Sequence, residues 1–139
     1  MQYHGPLSSK NNPVYIIGAG GIINTAHLPA YKIAGFNVQG IYDIDHAKAI
    51  ATAANFNVPN VFNSVAEMVA HATANAIFDV AVPGSQTMAL LNELPVGATV
   101  LLQKPMGENY AEAQQILAVT QQKKCWQASI FNCVMRLTF

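Results

Sequence analysis

A chain of 139 residues has the length of one domain, enough to bury roughly two-thirds of its unfolded surface. Its 52% apolar content predicts a packed core. Seven charges of each sign cancel, which argues against disorder and against a basic nucleic-acid surface, since phosphate binding needs clustered Lys and Arg.

In chain order, Met1 to Pro13 is a polar lead-in. Val14 to Ile17 is a short apolar run stopped by Gly18, the pattern of a strand buried on both faces. A helix is predicted from Gly21, kinked or restarted at Pro29 because proline lacks an amide hydrogen. Asn37 to Asp43 reads as a second strand, and Asp45 as the cap of a helix reaching Ala54. Val61 and Phe62 form a brief third strand. Ser64 and Glu67 make a capping box that opens a helix to about His71. Asn75 to Val82 is a fourth strand, closed by Pro83 and Gly84, and a helix follows from about Gln86 to Leu94. Thr99 to Gln103 is a fifth strand. Asn109 to Lys123 is an amphipathic helix with Lys123 and Lys124 at its negative end, and Cys125 to Phe131 is a last strand-like run before a short tail.

Strands and helices alternate strictly. That predicts an α/β fold: a doubly wound parallel sheet (a Rossmann fold) in three layers, with strand order 3-2-1-4-5-6. The expectation is a single domain over 1–139 with an ordered core of about 13–131. No apolar run reaches the ~18 residues of a membrane span and no secretory leader opens the chain, so a cytoplasmic domain without a membrane partner is expected. Cys125 and Cys133 lack zinc or disulfide-framework spacing and read as free thiols. The four histidines, His4, His27, His46 and His71, show no metal spacing and read as helix-face or loop residues, so no metal is expected. Trp126 and Gln114 to Val119 read as packing. Asn and Gln together number 21. Such a thinly charged polar surface favours association, with a second domain or as a homo-oligomer.

The strongest local signal is the run Gly18, Ala19, Gly20, Gly21 between the first strand and the first helix. Gly18 permits a tight turn, and Gly20 leaves the backbone open to a diphosphate. Amides from Gly21, Ile22 and Ile23 onward then meet the anion at the positive end of the helix. Ile23 occupies the third small-residue position of the usual Gly-x-Gly-x-x-Gly pattern, so its side chain is expected in the helix–strand contact, holding the helix slightly away from the sheet. Asp43 ends the second strand twenty residues after Ile23. That spacing suits a carboxylate accepting hydrogen bonds from a ribose diol, a reading favoured over a helix cap shared with Asp45. Ile44, rather than Arg, follows Asp43, and a carboxylate repels a 2′-phosphate, so NAD is favoured over NADP. Gln103-Lys104-Pro105 closes the fifth strand, where the strand ends of a doubly wound sheet line the ligand crevice. An amine at Lys104 can bond a substrate hydroxyl and assist its proton.

The runs Gly18 to Ile22, His27-Leu28-Pro29-Ala30, Tyr42-Asp43, Ala81-Val82-Pro83 and Gln103-Lys104-Pro105 occur in order over about Val14 to Phe131. Together they resemble the N-terminal half of the glucose–fructose oxidoreductase, inositol dehydrogenase and rhizopine-catabolism (Gfo/Idh/MocA) family. The resemblance implies an NAD- or NADP-binding Rossmann domain joined to a second, sheet-bearing domain that supplies most of the substrate site. It makes Lys104 the catalytic lysine, on a cis Lys104–Pro105 turn, and places Val82, Pro83 and Gln103 beside the cofactor. Gln103 replaces the family's Glu and Val82 its Thr; Thr87 is the residue nearest to a His often found after that Pro; and the Asp and His of the second domain have no counterpart.

The function this implies is the nucleotide-binding domain of an oxidoreductase, a dehydrogenase moving hydride between a nicotinamide cofactor and a sugar, polyol or related carbinol. The fragment alone is expected to be inactive. The competing reading is a non-catalytic dinucleotide-sensing or assembly module. An S-adenosylmethionine methyltransferase shares the glycine loop and the strand-end acid but leaves Lys104-Pro105 unexplained.

Overall fold

Seven strands build one sheet, beginning with the apolar run at its centre. In the computed structural model the chain forms β1 (Val14–Ile17), a π-helical turn (Ile23–His27), α1 (Leu28–Ala34), β2 (Val38–Tyr42), α2 (His46–Phe56) and β3 (Asn60–Val61). It continues through α3 (Val65–His71), β4 (Ile77–Val80), α4 (Gly84–Glu93), β5 (Thr99–Gln103), α5 (Tyr110–Gln122), β6 (Trp126–Ile130) and β7 (Val134–Leu137). The structure describes residues 11–103 and 107–123, with the backbone of β6 and β7.

The strand order is β3-β2-β1-β4-β5-β6-β7. The first six follow the predicted 3-2-1-4-5-6 and are parallel, while β7 pairs antiparallel with β6. The stretch expected as a short tail thus includes a seventh strand, Val134–Leu137, at the sheet edge.

Both faces are covered, which is why β1 reads as an unbroken apolar run. Tyr15, Ile17, Phe78, Val80, Val100 and Leu102 point into a core closed by residues of α3, α4 and α5, among them Met68, Leu91 and Ile116. Alternate residues Val14, Ile16 and Ile41 meet Ile23, Leu28, Ala49 and Ala53 on the opposite face. These are the three layers the alternation predicts.

Local signals set the helix ends. The Asp45 carboxylate accepts from the Lys48 amide (3.3 Å) to start α2. In the capping box the Glu67 amide donates to Ser64 Oγ (3.0 Å), and Glu67 Oε2 accepts from the Asn63 amide (2.8 Å). Asn109 and Glu112 repeat the arrangement at α5. Lys123 does not serve its own helix. Its Nζ donates to the carbonyls of Leu91, Asn92 and Leu94 at 2.6–2.9 Å, capping α4 instead. Lys124, the cysteines and the Trp126 side chain lie outside the described residues.

The expected break at Pro29 appears one turn earlier. The Leu28 amide bonds back to the Ile23 carbonyl, five residues away, and α1 restarts with Pro29 in its first turn. Pro29 has no N–H for the Thr25 carbonyl, so the ladder widens rather than continuing in α register. Among the described residues no helix is long and apolar enough to cross a membrane.

Candidate functional site

The site is built at the carboxyl ends of β1, β2, β4 and β5. β1 lies between β2 and β4, so the strand order reverses beside it, and a crevice forms at such a switch point. Gly18 leaves β1 with φ +108°, and a Cβ there would lie 2.3 Å from the Ala81 carbonyl oxygen. No other residue fits where the loop crosses the end of β4. The turn is held by the Gly18 amide donating to the Tyr42 carbonyl (2.7 Å) and the Ala81 amide donating to the Ile17 carbonyl (2.9 Å).

Gly20 and Gly21 differ from Gly18. Both are exposed, and a Cβ on either would meet nothing within 4 Å. Space above this backbone is therefore open to an incoming group. Ile22 is exposed beside them, whereas Ile23 is fully buried in the α1–α2 face of the core, as expected of the third loop position.

Asp43 stands directly after β2. Its Oδ2 accepts from the Ala19 amide and its Oδ1 from the Asp45 amide, both at 2.7 Å. Capping of α2 belongs to Asp45, so Asp43 is freed from that task and braces the glycine loop instead. Ile44 beside it is 82% exposed, a large apolar side chain facing water next to a carboxylate.

Val82 is half-buried against Gly18, and Pro83 is the exposed residue that starts α4. Gly84, next along, is packed so tightly that a Cβ would lie 2.8 Å from the backbone of Gly107. The chain returning from β5 thus rests on the start of α4. Gln103, the last residue of β5, is half-buried with its Oε1 enclosed and without a hydrogen-bond partner among the described residues. Lys104 and Pro105 lie outside the described residues, and with them the expected cis turn and lysine orientation.

Two sets of residues escape a reading of the sequence. Asn24 donates from Nδ2 to the carbonyls of Ala19 (3.1 Å) and Gly20 (2.9 Å), while its Oδ1 accepts from Thr52 on α2 (3.0 Å). This amide staples the loop to the next helix. The second set gives His27, expected as a helix-face or loop residue and found on the π-helical turn, a buried partner that its local sequence does not announce. Its Nδ1 lies 2.6 Å from Asp79 Oδ2, and the Tyr31 hydroxyl donates to the same oxygen at 2.6 Å. Asp79 is fully buried in β4, and its Oδ1 has no partner among the described residues. A signal for the cluster existed. Asp79 is the charged residue in the apolar strand Ile77-Phe78-Asp79-Val80, and a buried charge demands partners. His27 and Tyr31, four apart, share a helix face.

Electrostatics follow from that burial. The hydrogen bond to Asp79 raises the His27 pKa above its ordinary value; burial opposes the shift, and the Asp79 charge and the Gln103 carboxamide add to it. Tyr31 is held protonated far beyond the ordinary phenol range, first by burial and then by the Asp79 charge and hydrogen bond.

Glycine loop, topological switch point and strand-end acid define a Rossmann nucleotide-binding domain. More narrowly, the chain belongs to the Gfo/Idh/MocA oxidoreductases: residues 13–130 match that family's NAD-binding Rossmann fold. It is similar to YceM of Salmonella typhimurium, which carries an oxidoreductase name, with 30% identity over 118 residues covering 84% of this chain and 38% of that protein. An NAD-binding oxidoreductase from Klebsiella pneumoniae superposes with TM-score 0.74 at 21% identity, over 89% of this chain and 35% of the other. KijD10 of Actinomadura kijaniata, a 3-ketoreductase solved with NADP and TDP-benzene, superposes with TM-score 0.67 at 19% identity, over 86% of this chain and 37% of the other. The chain thus spans under half the length of these relatives.

Proposed function

We propose that this chain is the cofactor-binding domain of a cytoplasmic, NAD-dependent dehydrogenase acting on a carbinol of the sugar or polyol class, with a second domain completing the substrate site. When bound, the nicotinamide supplies or accepts the hydride. The remaining work belongs to residues of the chain. Backbone amides from Gly20 to Ile23 hold the diphosphate, with Gly18 and Gly21 shaping the turn. Asp43 accepts from the ribose hydroxyls, and Ile44 offers an apolar face to the adenine. Val82, Pro83 and Gln103 line the nicotinamide end. Lys104 Nζ orients the substrate hydroxyl and handles its proton.

The observation that carries this reading is the Asp43 carboxylate bonded to the glycine-loop amide of Ala19 at the switch point. Its negative charge, followed by Ile44 rather than a cation, supports NAD over NADP. Titrating both dinucleotides into the wild type and into an Asp43→Ser, Ile44→Arg variant tests it. The wild type is expected to prefer NAD and the variant NADP; an unmoved preference removes Asp43 and Ile44 from the site.

A second reading, a dinucleotide-sensing module without turnover, is favoured by one observation: Gln103 puts a neutral amide where a charge would tune Lys104. Hydride transfer to NAD by the longer protein carrying this domain, abolished in Lys104→Ala, decides for the enzyme.

A further inference from the structure

Asp79 poses a physical problem. A carboxylate fully enclosed in a central strand costs several kcal/mol unless opposing groups surround it. Among the described residues only one of its oxygens is served, by His27 Nδ1 and the Tyr31 hydroxyl. Its ladder partner on β5 is Leu101, so Gln103, two residues further, points to the same face of the sheet, nearer the strand ends. There Gln103 Oε1 is enclosed and has no hydrogen-bond partner among the described residues. His27 reaches down onto this face from the π-helical turn, with Nδ1 committed to Asp79 and Nε2 as the ring's second hydrogen-bonding corner.

We propose that Asp79 and His27 form a positioning couple that holds the Gln103 side chain, fixing the carboxyl end of β5 relative to the glycine-loop helix. The proposal rests on the dinucleotide-binding reading for its consequence, since Gln103 immediately precedes Lys104 at the nicotinamide end of the crevice. The chemistry is specific. Protonated His27 donates from Nδ1 to Asp79 and from Nε2 to Gln103 Oε1. Neutral His27 keeps the Nδ1 proton for Asp79 and presents Nε2 as an acceptor, which the other end of the Gln103 amide can meet after a flip. Gln103 therefore stays paired in both charge states. A carboxylate at 103 could pair only with the protonated ring. The groups facing the imidazole are Asp79 from β4, Tyr31 from α1 and Gln103 from β5; Tyr31 remains a neutral phenol, and the upward shift of His27 by both Asp79 and Gln103 agrees with this placement.

Ring 15N NMR of His27, assigned with His27→Gln, tests the couple in the chain as it stands. Gln103→Glu is expected to raise the His27 pKa by about one unit or more, as a nearby opposite charge does, and Gln103→Leu to lower it. An unmoved His27 titration in both variants overturns the proposal. The positioning consequence is read from two ligands. Gln103→Leu is expected to weaken NADH about three- to tenfold, the loss of one hydrogen bond's worth of order, and to leave ADP-ribose, which lacks the nicotinamide, unchanged. Equal loss for both ligands, or for neither, overturns it. Failure of wild-type protein to bind ADP-ribose at all would sink the dinucleotide reading instead, and the His27 titrations would still decide the couple.

Discussion

The two loop glycines separate folding from binding, and alanine at each position makes the separation measurable. At Gly18 a methyl group meets two obstacles. The backbone has φ +108°, a conformation costing an L-residue about 1–3 kcal/mol. The new Cβ would also lie 2.3 Å from the Ala81 carbonyl oxygen, and forcing such an overlap open costs roughly another 1–3 kcal/mol. Against a total stability on the order of 5–15 kcal/mol, the combined cost of about 2–6 kcal/mol means that Gly18→Ala should lower Tm by roughly 6–30 °C, at about 3–5 °C per kcal/mol for a domain of this size. Gly20 has neither obstacle: its φ is not positive and nothing lies within 4 Å of a Cβ. There alanine restricts the unfolded chain and should leave Tm unchanged or raise it, with a gain of at most about 1 kcal/mol. Its methyl would nevertheless stand in the open space where the diphosphate is to lie. NAD affinity should fall tenfold or more, equivalent to about 1.4 kcal/mol. Thermal unfolding and calorimetric titration of the two variants supply the four numbers. Wild-type affinity in Gly20→Ala would show that the diphosphate does not approach this loop, and an unchanged Tm in Gly18→Ala would refute the crossing at Ala81.

Three further outcomes follow from the polar contacts. His27 has a folded pKa above its unfolded value, so its contribution to stability is complete below about pH 6.5 and is lost as pH rises through the raised value; urea unfolding between pH 5.5 and 9 should show this alkaline loss in the wild type and not in His27→Gln. Lys123→Met removes the donor shared by three carbonyls at the end of α4 and should cost about 1–2 kcal/mol, read as a lower urea midpoint; an unchanged midpoint would mean water caps α4 equally well. Asp79→Leu leaves a buried imidazole and phenol unpaired and should cost about 3–5 kcal/mol. His27→Leu added to it should cost little more, and strict additivity of the two would deny their coupling.

How much of this was legible depends on how far apart the interacting residues lie. Ser64–Glu67 and Asp45–Lys48 are three residues apart, and the structure makes both bonds. Val14–Ile17 declared a doubly buried strand by composition alone, and alternation with helices then gave the order of six strands. Boundaries slipped where ladders end early. The fourth strand is expected over 75–82, but the Ala76 amide turns back to Thr73, and the ladder with β1 ends at the Ile17–Val80 pair, with Ala81 bonding only to the Ile17 carbonyl at the end of β1, leaving Ile77–Val80. β7 was missed because a hairpin return at a sheet edge carries no helical crossover to announce it. Lys123 obeyed the rule that cations favour helix C-termini, but it serves a helix whose last residues are 29–32 positions away. The His27–Asp79 pair spans 52 positions. Local rules cannot supply such partners; they can only flag Asp79 as a charge in need of one.

The first helix shows why a bulky Ile23 is tolerated where a small residue is usual. Ile23, His27 and Tyr31 recur every four residues, and all three turn toward the sheet: Ile23 into the core, the other two onto Asp79. In a regular α-helix, four steps of about 100° overshoot a full turn by about 40° each time, so the third residue would have rotated well away from the first. The wider π turn over Ile23–His27 takes back part of that rotation. Its bond from Leu28 to Ile23 lies where Pro29 has already deprived the Thr25 carbonyl of its α-helical donor. A proline that would otherwise only break the helix therefore keeps Ile23 and His27 in phase. Close packing of a glycine is replaced by a buried isoleucine and two charge-assisted bonds to β4. Asn24 ties the same segment to Thr52, and Asp43 ties the preceding loop to β2. The helix that is to carry the dinucleotide's charge is thus fastened to the strand ends on both sides of the switch point before any ligand arrives. Such fastening lowers the cost of ordering a binding loop.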